Sequence, residues 1–543
     1  MQRLVRHCLL PISSSVRLRV CKYASLVFVI RATEIFAAAP EQAPPPWLER
    51  YQAAVAELRA GDVAGARAQF EVLWKANPQD VLANAIGGAL DSAGRHAEAT
   101  VWYQRAIGLN PHYADAYNNL ALNYVARGDF PKARELLRQA LKLRPSDERA
   151  YYNLGLVELR LSHFPAAAAA FLEAHKLKPG VADPLLRLAV ADFKSADQKA
   201  ALNALAQFER LPGDREDAAL QEAQILNAAG LYGEALKQID LFETAQPPRN
   251  DFLPLSYQKG AALFGMGRYK EAADVLIQAA PHASDPNWDL LLGSAQALAG
   301  DLPEAATTLQ AAIRLASHQP EPYYRLALVL MQGYRDQDAL QALASGLKEV
   351  PNSPLLWYGI GVVNQVSGRY EPAIAALRKS LDAQHDQPYV WSMLGELYRS
   401  LGQYQKAEEC YQMAVSLGAS PEILAGYAEL LVKLRQLNEA ERVLEHASAK
   451  DRDDASVDRA WGKLYNAQGQ YVRAQSYLQR ATSLEPGDAD AHFALATCLQ
   501  HLGKTAEARQ EYAVADQRRN ALSESTRLLR RTLVPLDESS GTE

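Results

Sequence analysis

Cys498 and His501 stand three residues apart, with His492 six residues before the cysteine. This is the nearest approach to a metal-ligand set in the sequence. Side chains at i and i+3 of a helix share a face, so the pair can reach one ion. A structural zinc site takes four such ligands, usually from CxxC or paired Cys/His spacings. The other cysteines, Cys8, Cys21 and Cys410, are distant in sequence. These residues therefore imply neither a metal nor a cofactor. Nucleophile and phosphate chemistry fares no better: there is no P-loop, no GxSxG, no HExxH and no strand–GxG–helix context. The carboxylates Glu408, Glu409, Asp451, Asp453 and Asp454 read as solvated helix faces and turns, with no buried partner to shift their pKa. The sequence predicts a protein that is not an enzyme and has no catalytic residues.

Charge narrows the partners. Residues 1–40 carry six basic groups and one acid, which leaves 51 basic and 62 acidic residues in the rest, a net of −11. Gripping nucleic-acid phosphates requires clustered Lys and Arg, so the body is not built for nucleic acid. No apolar run approaches the roughly 20 residues that span a bilayer. Residues 1–39 form a leader with a basic start, the apolar run Ala24–Ile30 and then Ala37-Ala38-Ala39-Pro40. This resembles a secretory signal peptide, which would make the mature protein periplasmic or extracellular; an Arg- and Ser-rich, acid-poor leader also fits an organelle transit peptide. Without a functional leader the protein stays cytoplasmic. Residues 40–46 are a stiff Pro-rich linker.

The elements that position everything else are repeats. Alanines four residues before a large apolar side chain recur at Ala66, Ala99, Ala133, Ala167, Ala201, Ala235, Ala272, Ala305, Ala339, Ala373, Ala407, Ala440, Ala474 and Ala508. Their successive gaps are 33 or 34 residues, with a single 37 between Ala235 and Ala272. Four residues after each alanine stands a large apolar residue, from Phe70 to Tyr512, and twelve before each stands Gly or Ala. A small residue in one helix and an alanine in the next let two helices approach, and the bulky residue fills the space between them. Glycines such as Gly94, Gly128, Gly267, Gly368, Gly402, Gly469 and Gly503 supply the turn. Pro78, Pro111, Pro145, Pro179, Pro351 and Pro486 stop the second helix. Such hairpins bury their apolar faces by stacking on their neighbours.

The period and columns resemble the tetratricopeptide repeat, whose pattern is W-x2-L-G-x2-Y…A-x3-F…P. Trp391, Leu394, Gly395, Tyr398, Ala407 and Tyr411 match it almost position for position, and Tyr151, Leu154, Gly155, Ala167, Phe171, Ala174 and Pro179 do so in an earlier unit. Units starting near 182, 216 and 421 keep little beyond the three columns. The resemblance implies an all-α, right-handed α-solenoid superhelix of about fourteen helix-turn-helix units. Units 1–6 occupy residues 47–249 and units 7–14 occupy 250–522. The extra residues around Pro247-Pro248-Arg249-Asn250 predict a bend or loosened interface; a plain surface loop is the alternative. Ala521–Leu533 reads as a capping helix with Leu522, Leu528, Leu529 and Leu533 inward, so residues 523–543 comprise cap and polar tail.

Members of this family grip peptides or partner helices along a concave groove lined by the first helix of each unit. Carried onto this sequence, the inner positions include Asn118, Asn119, Tyr152, Asn153, Arg160 and Arg187, then Tyr324, Arg325, Tyr358, Arg399, Arg459 and Lys463. Asn119 and Asn153 resemble the start of an asparagine row that holds a peptide backbone, and an amide supplies both donor and acceptor. Tyr and Arg are enriched at binding hot spots. The later cations, beside Glu396 and Glu429, suit an acidic peptide or a terminal carboxylate. Trp357 and Trp391 sit in the motif's tryptophan column and are expected in the core. The expected function is a protein-binding scaffold. The alternatives are an exported assembly factor for envelope or polysaccharide-secretion machinery, or a regulatory subunit of a separate enzyme.

Overall fold

The computed structural model describes residues 47–211, 215–245, 253–279, 285–450 and 453–521. These residues form 28 α-helices and no strand, paired in chain order into fourteen hairpins. The chain divides into two compact units at Pro248 and Arg249. The first unit's described hairpins run from Leu48–Ala60 with Val63–Ala76 to Arg215–Ala228 with Tyr232–Ala245. The second unit's run from Leu253–Gly265 with Tyr269–Ala279 to Ala489–His501 with Thr505–Ala521. The residues around Pro247 and the leucines of the expected cap lie outside the described residues, as do the leader and the Pro-rich linker. No helix among the described residues is long and apolar enough to cross a membrane.

Local chemistry sets the helix ends. Helices stop at Ala76, Leu109, Leu143, Leu177, Glu349 and Leu484, each two residues before a proline. The intervening residue is extended, as the proline ring demands of its predecessor: φ is −153° at Asn77, −142° at Lys178 and −131° at Glu485. Asp62, Asp129, Asp147, Asp197, Asp285, Asp454 and Asp488 accept from backbone N–H groups at helix starts, which satisfies otherwise orphaned donors. The seven expected turn glycines take φ between 71° and 78°. Ser162, Ala196, Tyr334 and Arg435 stand at the equivalent turns with φ of 59°, 63°, 57° and 64°.

The columns are the core. Thirteen of the fourteen column alanines are 0% exposed and Ala508 is 2% exposed. Each small residue faces the bulky residue of its own hairpin. A Cβ on Gly87 would stand 2.7 Å from the Tyr103 ring, and one on Gly260 the same distance from Leu276. Further burial comes from a small column that the sequence reading did not extract, seven residues after the alanines: Ala106, Ala140, Ala174, Ala312, Ser380, Ala414, Ala447, Ala481 and Ala515 are all buried. Within each unit the hairpins stack through this layer, for example Phe164–Leu177 against Asp183–Lys194 and Leu302–Leu315 against Pro320–Gln332. In the last described hairpin Tyr512 is only half-buried.

The inner layer is not uniform. Pro320–Gln332 packs directly on Pro354–Val366, and Pro421–Lys433 on Ala455–Ala467, more extensively than other neighbouring first helices. Small residues permit this. Gly359 lies against the Tyr324 ring, where a Cβ would come within 3.0 Å, while Ala425 and Ala460 are 0% exposed.

Candidate peptide-binding face

In the first unit the inner helices Asp80–Ser92, Ala114–Ala126, Glu148–Arg160 and Asp183–Lys194 are stitched by polar side chains one repeat apart. Asn119 Nδ2 donates to Asn84 Oδ1 at 2.9 Å, and Asn84 Nδ2 to Tyr113 Oη at 3.4 Å. One repeat on, Asn153 Nδ2 donates to Asn118 Oδ1 at 2.9 Å. The Tyr152 hydroxyl donates to Asp183, whose other oxygen lies 3.7 Å from Arg187 Nε. Burial and the Asp183 carboxylate hold the Tyr152 hydroxyl well above the usual tyrosine range. Burial works against the Arg187 charge, but Asp183 and Tyr152 beside it raise the guanidinium pKa on balance. Asn119 is buried, whereas Asn118, Tyr152, Asn153 and Arg187 are half-buried and Arg160 is exposed. A carboxamide has two donors and an acceptor oxygen. The Asn118 amide nitrogen and the Asn153 oxygen are therefore uncommitted among the described residues.

The second unit's inner face is more tightly closed. Tyr324 and Tyr358 are each 3% exposed, with ring centroids 6.1 Å apart, and Tyr358 meets Tyr389 edge-on at 5.3 Å. Close packing of their helices seals them, and burial raises both hydroxyl pKa values far above the usual range. The Tyr324 hydroxyl has no hydrogen-bond partner among the described residues. Arg325 pairs with Glu321 at 2.7 Å and donates to Ser294 Oγ at 2.9 Å. Arg399 pairs with Glu396, a hydrogen-bonded contact that raises its pKa. Glu429 accepts from Arg459 at 2.8 Å and from Lys463 at 2.8 Å, and Arg459 also reaches Asp488, the cap of the next first helix. Burial disfavours the Glu429 charge, yet the two cations outweigh it and lower its pKa to about 2.

The Cys–His set separates into unrelated contacts. Cys498 Sγ donates to the Tyr471 carbonyl at 3.0 Å and burial raises its pKa. His501 stacks on the Tyr471 ring at 4.5 Å, and His492 lies between Glu511 Oε2 at 2.6 Å and the Pro486 carbonyl at 3.2 Å. No group of three or more His, Cys, Asp or Glu among the described residues is arranged to hold a metal.

Family models described as "Tetratricopeptide repeat" match residues 80–146, 118–182, 257–320, 324–388, 388–418 and 465–529, together more than half of the chain. The chain belongs to the tetratricopeptide repeat family. The matches leave out 183–256 and 419–464, which hold the units starting near 182, 216 and 421 where little but the packing columns survives. No curated protein matches the chain in sequence. Among solved structures, yeast Tom70 is 16% identical over 83% of this chain and 99% of its own, with a TM-score of 0.44. The Cut9–Hcn1 hetero-tetramer of the APC/C is 15% identical over 90% of this chain and 96% of its own, with a TM-score of 0.38.

Against the tetratricopeptide motif, the expected inner-face residues fall into three states. Asn118, Asn153 and Arg160 are accessible, and Tyr152 and Arg187 are half-buried beside Asp183. Arg325, Arg399, Arg459 and Lys463 already carry carboxylate partners. Asn119, Tyr324 and Tyr358 are buried, so a ligand on the surface meets their neighbours first. Trp357 and Trp391 are half-buried; Lys379 Nζ lies 4.2 Å over the Trp357 ring, and Trp391 Nε1 donates to the His385 carbonyl at 3.0 Å. The partners Asn84, Asp183, Ser294 and Asp488 were not singled out in the sequence. Spacings of 29 to 35 residues between partners were the available signal.

Proposed function

We propose that this tetratricopeptide chain is a protein-interaction scaffold that holds peptide segments or partner helices against the inner helices of its hairpins. The observation that supports the reading is the half-exposed amide pair Asn118 and Asn153, one repeat apart, with hydrogen-bonding capacity that no described residue uses. Such amides bind a main chain without reading its sequence. The test is crosslinked capture from the native host, comparing the full chain with an Asn118→Ala, Asn153→Ala double variant. Reduced capture at unchanged helical circular dichroism is expected. Undiminished capture places binding elsewhere on the molecule.

The sequence of the leader supports an exported scaffold, with cleavage after Ala39. Intact mass of the protein from its host then lacks residues 1–39; a full-length mass overturns export.

A further inference from the structure

A cavity of about 350 Å³ lies between the second helix Tyr471–Leu484 and both helices of the next hairpin, Ala489–His501 and Thr505–Ala521. Buried Leu495 and Leu499 supply its apolar surface. Gln479 on one wall and Glu507, Gln510 and Glu511 on the other supply polar atoms, and no lysine or arginine lines it. Its walls are second helices, not the first helices of the inner face.

Three departures from the repeat coincide here. Thr482 stands eight residues after the column alanine Ala474, where other second helices carry Ile107, Ile313, Leu347 or Leu381 packed against the core. A threonine leaves part of that volume unfilled. Ser483, which also lines the cavity, stands where Lys75, Lys142, Lys176, Arg210, Arg314 and Lys348 place a cation. Glu511, three residues after Ala508, is the one charged residue among the fourteen at its column position. A helix start favours an acid at Glu507, but that field fades within the first turn and does not account for Glu511. His492 Nδ1 meets Glu511 Oε2 at 2.6 Å. Neither the other Glu511 oxygen nor the Glu507 carboxylate is paired among the described residues.

We propose that this cavity is the docking pocket for an arginine side chain on a basic segment of a partner protein. The methylene stem covers Leu495 and Leu499, and the guanidinium donates to Glu511 Oε1, Glu507 and the Gln479 carboxamide oxygen. Five donors in a planar fork serve acceptors on two walls at once, which the point charge of a lysine does not. The pocket is independent of the inner-face reading above, because it belongs to the other unit and to second helices.

Fluorescence anisotropy with the full chain tests it, using labelled peptides of alternating serine and arginine, serine and lysine, or serine and glutamine. The arginine peptide binds best. Thr482→Leu restores the apolar column and fills the cavity without changing the charge. It weakens binding by about tenfold or more, as does Glu511→Gln, with helical circular dichroism unchanged. Arginine-peptide binding that survives either substitution is diffuse attraction to an acidic chain and overturns the site. Equal binding of the lysine peptide overturns the choice of arginine. Asn118→Ala with Asn153→Ala leaves binding unchanged; a loss there assigns it to the inner face and overturns the pocket. If no peptide binds the unsubstituted chain, the pocket proposal fails while the inner-face reading stands. Binding that appears only when Arg527, Arg530 and Arg531 are replaced by alanine makes the chain's own tail the occupant and overturns the partner.

Discussion

Gly155 lies directly beneath the ring of Phe171, sixteen residues later: a Cβ on the glycine would stand 2.6 Å from Phe171 Cε1. No ordinary side-chain contact is that short, so the glycine is required by its neighbour's volume and not by its backbone. The same relationship joins Gly395 to Tyr411, at 2.9 Å. Gly395→Leu should overpack its hairpin and cost about 1–3 kcal/mol. Gly108 is the contrast, because nothing lies within 4 Å of the place its Cβ would occupy in the helix His96–Leu109. Gly108→Ala should stabilise by roughly 0.5–1 kcal/mol. Urea unfolding of the two variants distinguishes them; shifts of the same sign contradict the packing.

Four turns place a side chain where the backbone favours glycine. Left-handed φ costs an ordinary residue about 1–2 kcal/mol, part of which glycine returns through its freer unfolded chain. Tyr334→Gly and Ala196→Gly should therefore stabilise by about 0.5–1 kcal/mol. Melting temperatures measure this, and a fall would show that the side chains make contacts worth more than the strain.

Arg459 holds two acids in different hairpins, half-buried Glu429 and buried Asp488, whose side chains are 13% and 1% exposed. Removing the cation leaves Glu429 to Lys463 alone and takes the guanidinium from Asp488. Arg459→Met should destabilise by about 1–3 kcal/mol, the scale of a lost charged hydrogen-bond partner, and adding Glu429→Gln should recover part of it. Glu429 is depressed to about 2 from 4.5, so its contribution is present above the unfolded value and fades as pH falls from 4.5 towards 2. Stability of the variant across that range should lose the corresponding slope; an unchanged slope contradicts the pairing.

Glu222 behaves in the opposite sense. It is 4% exposed. Burial, with Glu209 beside it, raises its pKa from 4.5 to about 8, and its Oε1 has no hydrogen-bond partner among the described residues. The fold thus binds a proton that the unfolded chain releases. The Glu222 contribution is greatest below pH 4.5 and declines as pH rises to about 8. Glu222→Gln should remove that decline and raise stability at pH 8 by about 1–3 kcal/mol, the scale of an unsatisfied buried polar group. A melting series from pH 5 to pH 9 decides it; a variant curve parallel to the parent contradicts the raised pKa.

The hairpins were legible because their packing is local and periodic. Ala407, Tyr411 and Gly395 lie within sixteen residues of one another, and steric volume alone dictates which types fit. The inner face was legible only in part. That Asn118 and Asn153 stay accessible while Asn119 is buried against Asn84 depends on the rotation between successive first helices, which no single repeat encodes. Tyr324 and Tyr358 matched hot-spot composition, but Gly359 lets their helices close over them. Arg459 was legible beside Glu429, but its second acid, Asp488, lies 29 residues on in the next hairpin.

The central claim, that proteins are held on the inner helices, is tested most directly by a photo-crosslinking residue placed at Leu156 or, on a second helix, at Val101, followed by mass mapping of adducts from the native host. Leu156 is half-buried on the first helix Glu148–Arg160, and Val101 is 47% exposed on the second helix His96–Leu109. Adducts at position 156 that map to one contiguous partner segment, with none at position 101, are the predicted result. Adducts confined to position 101 would contradict it.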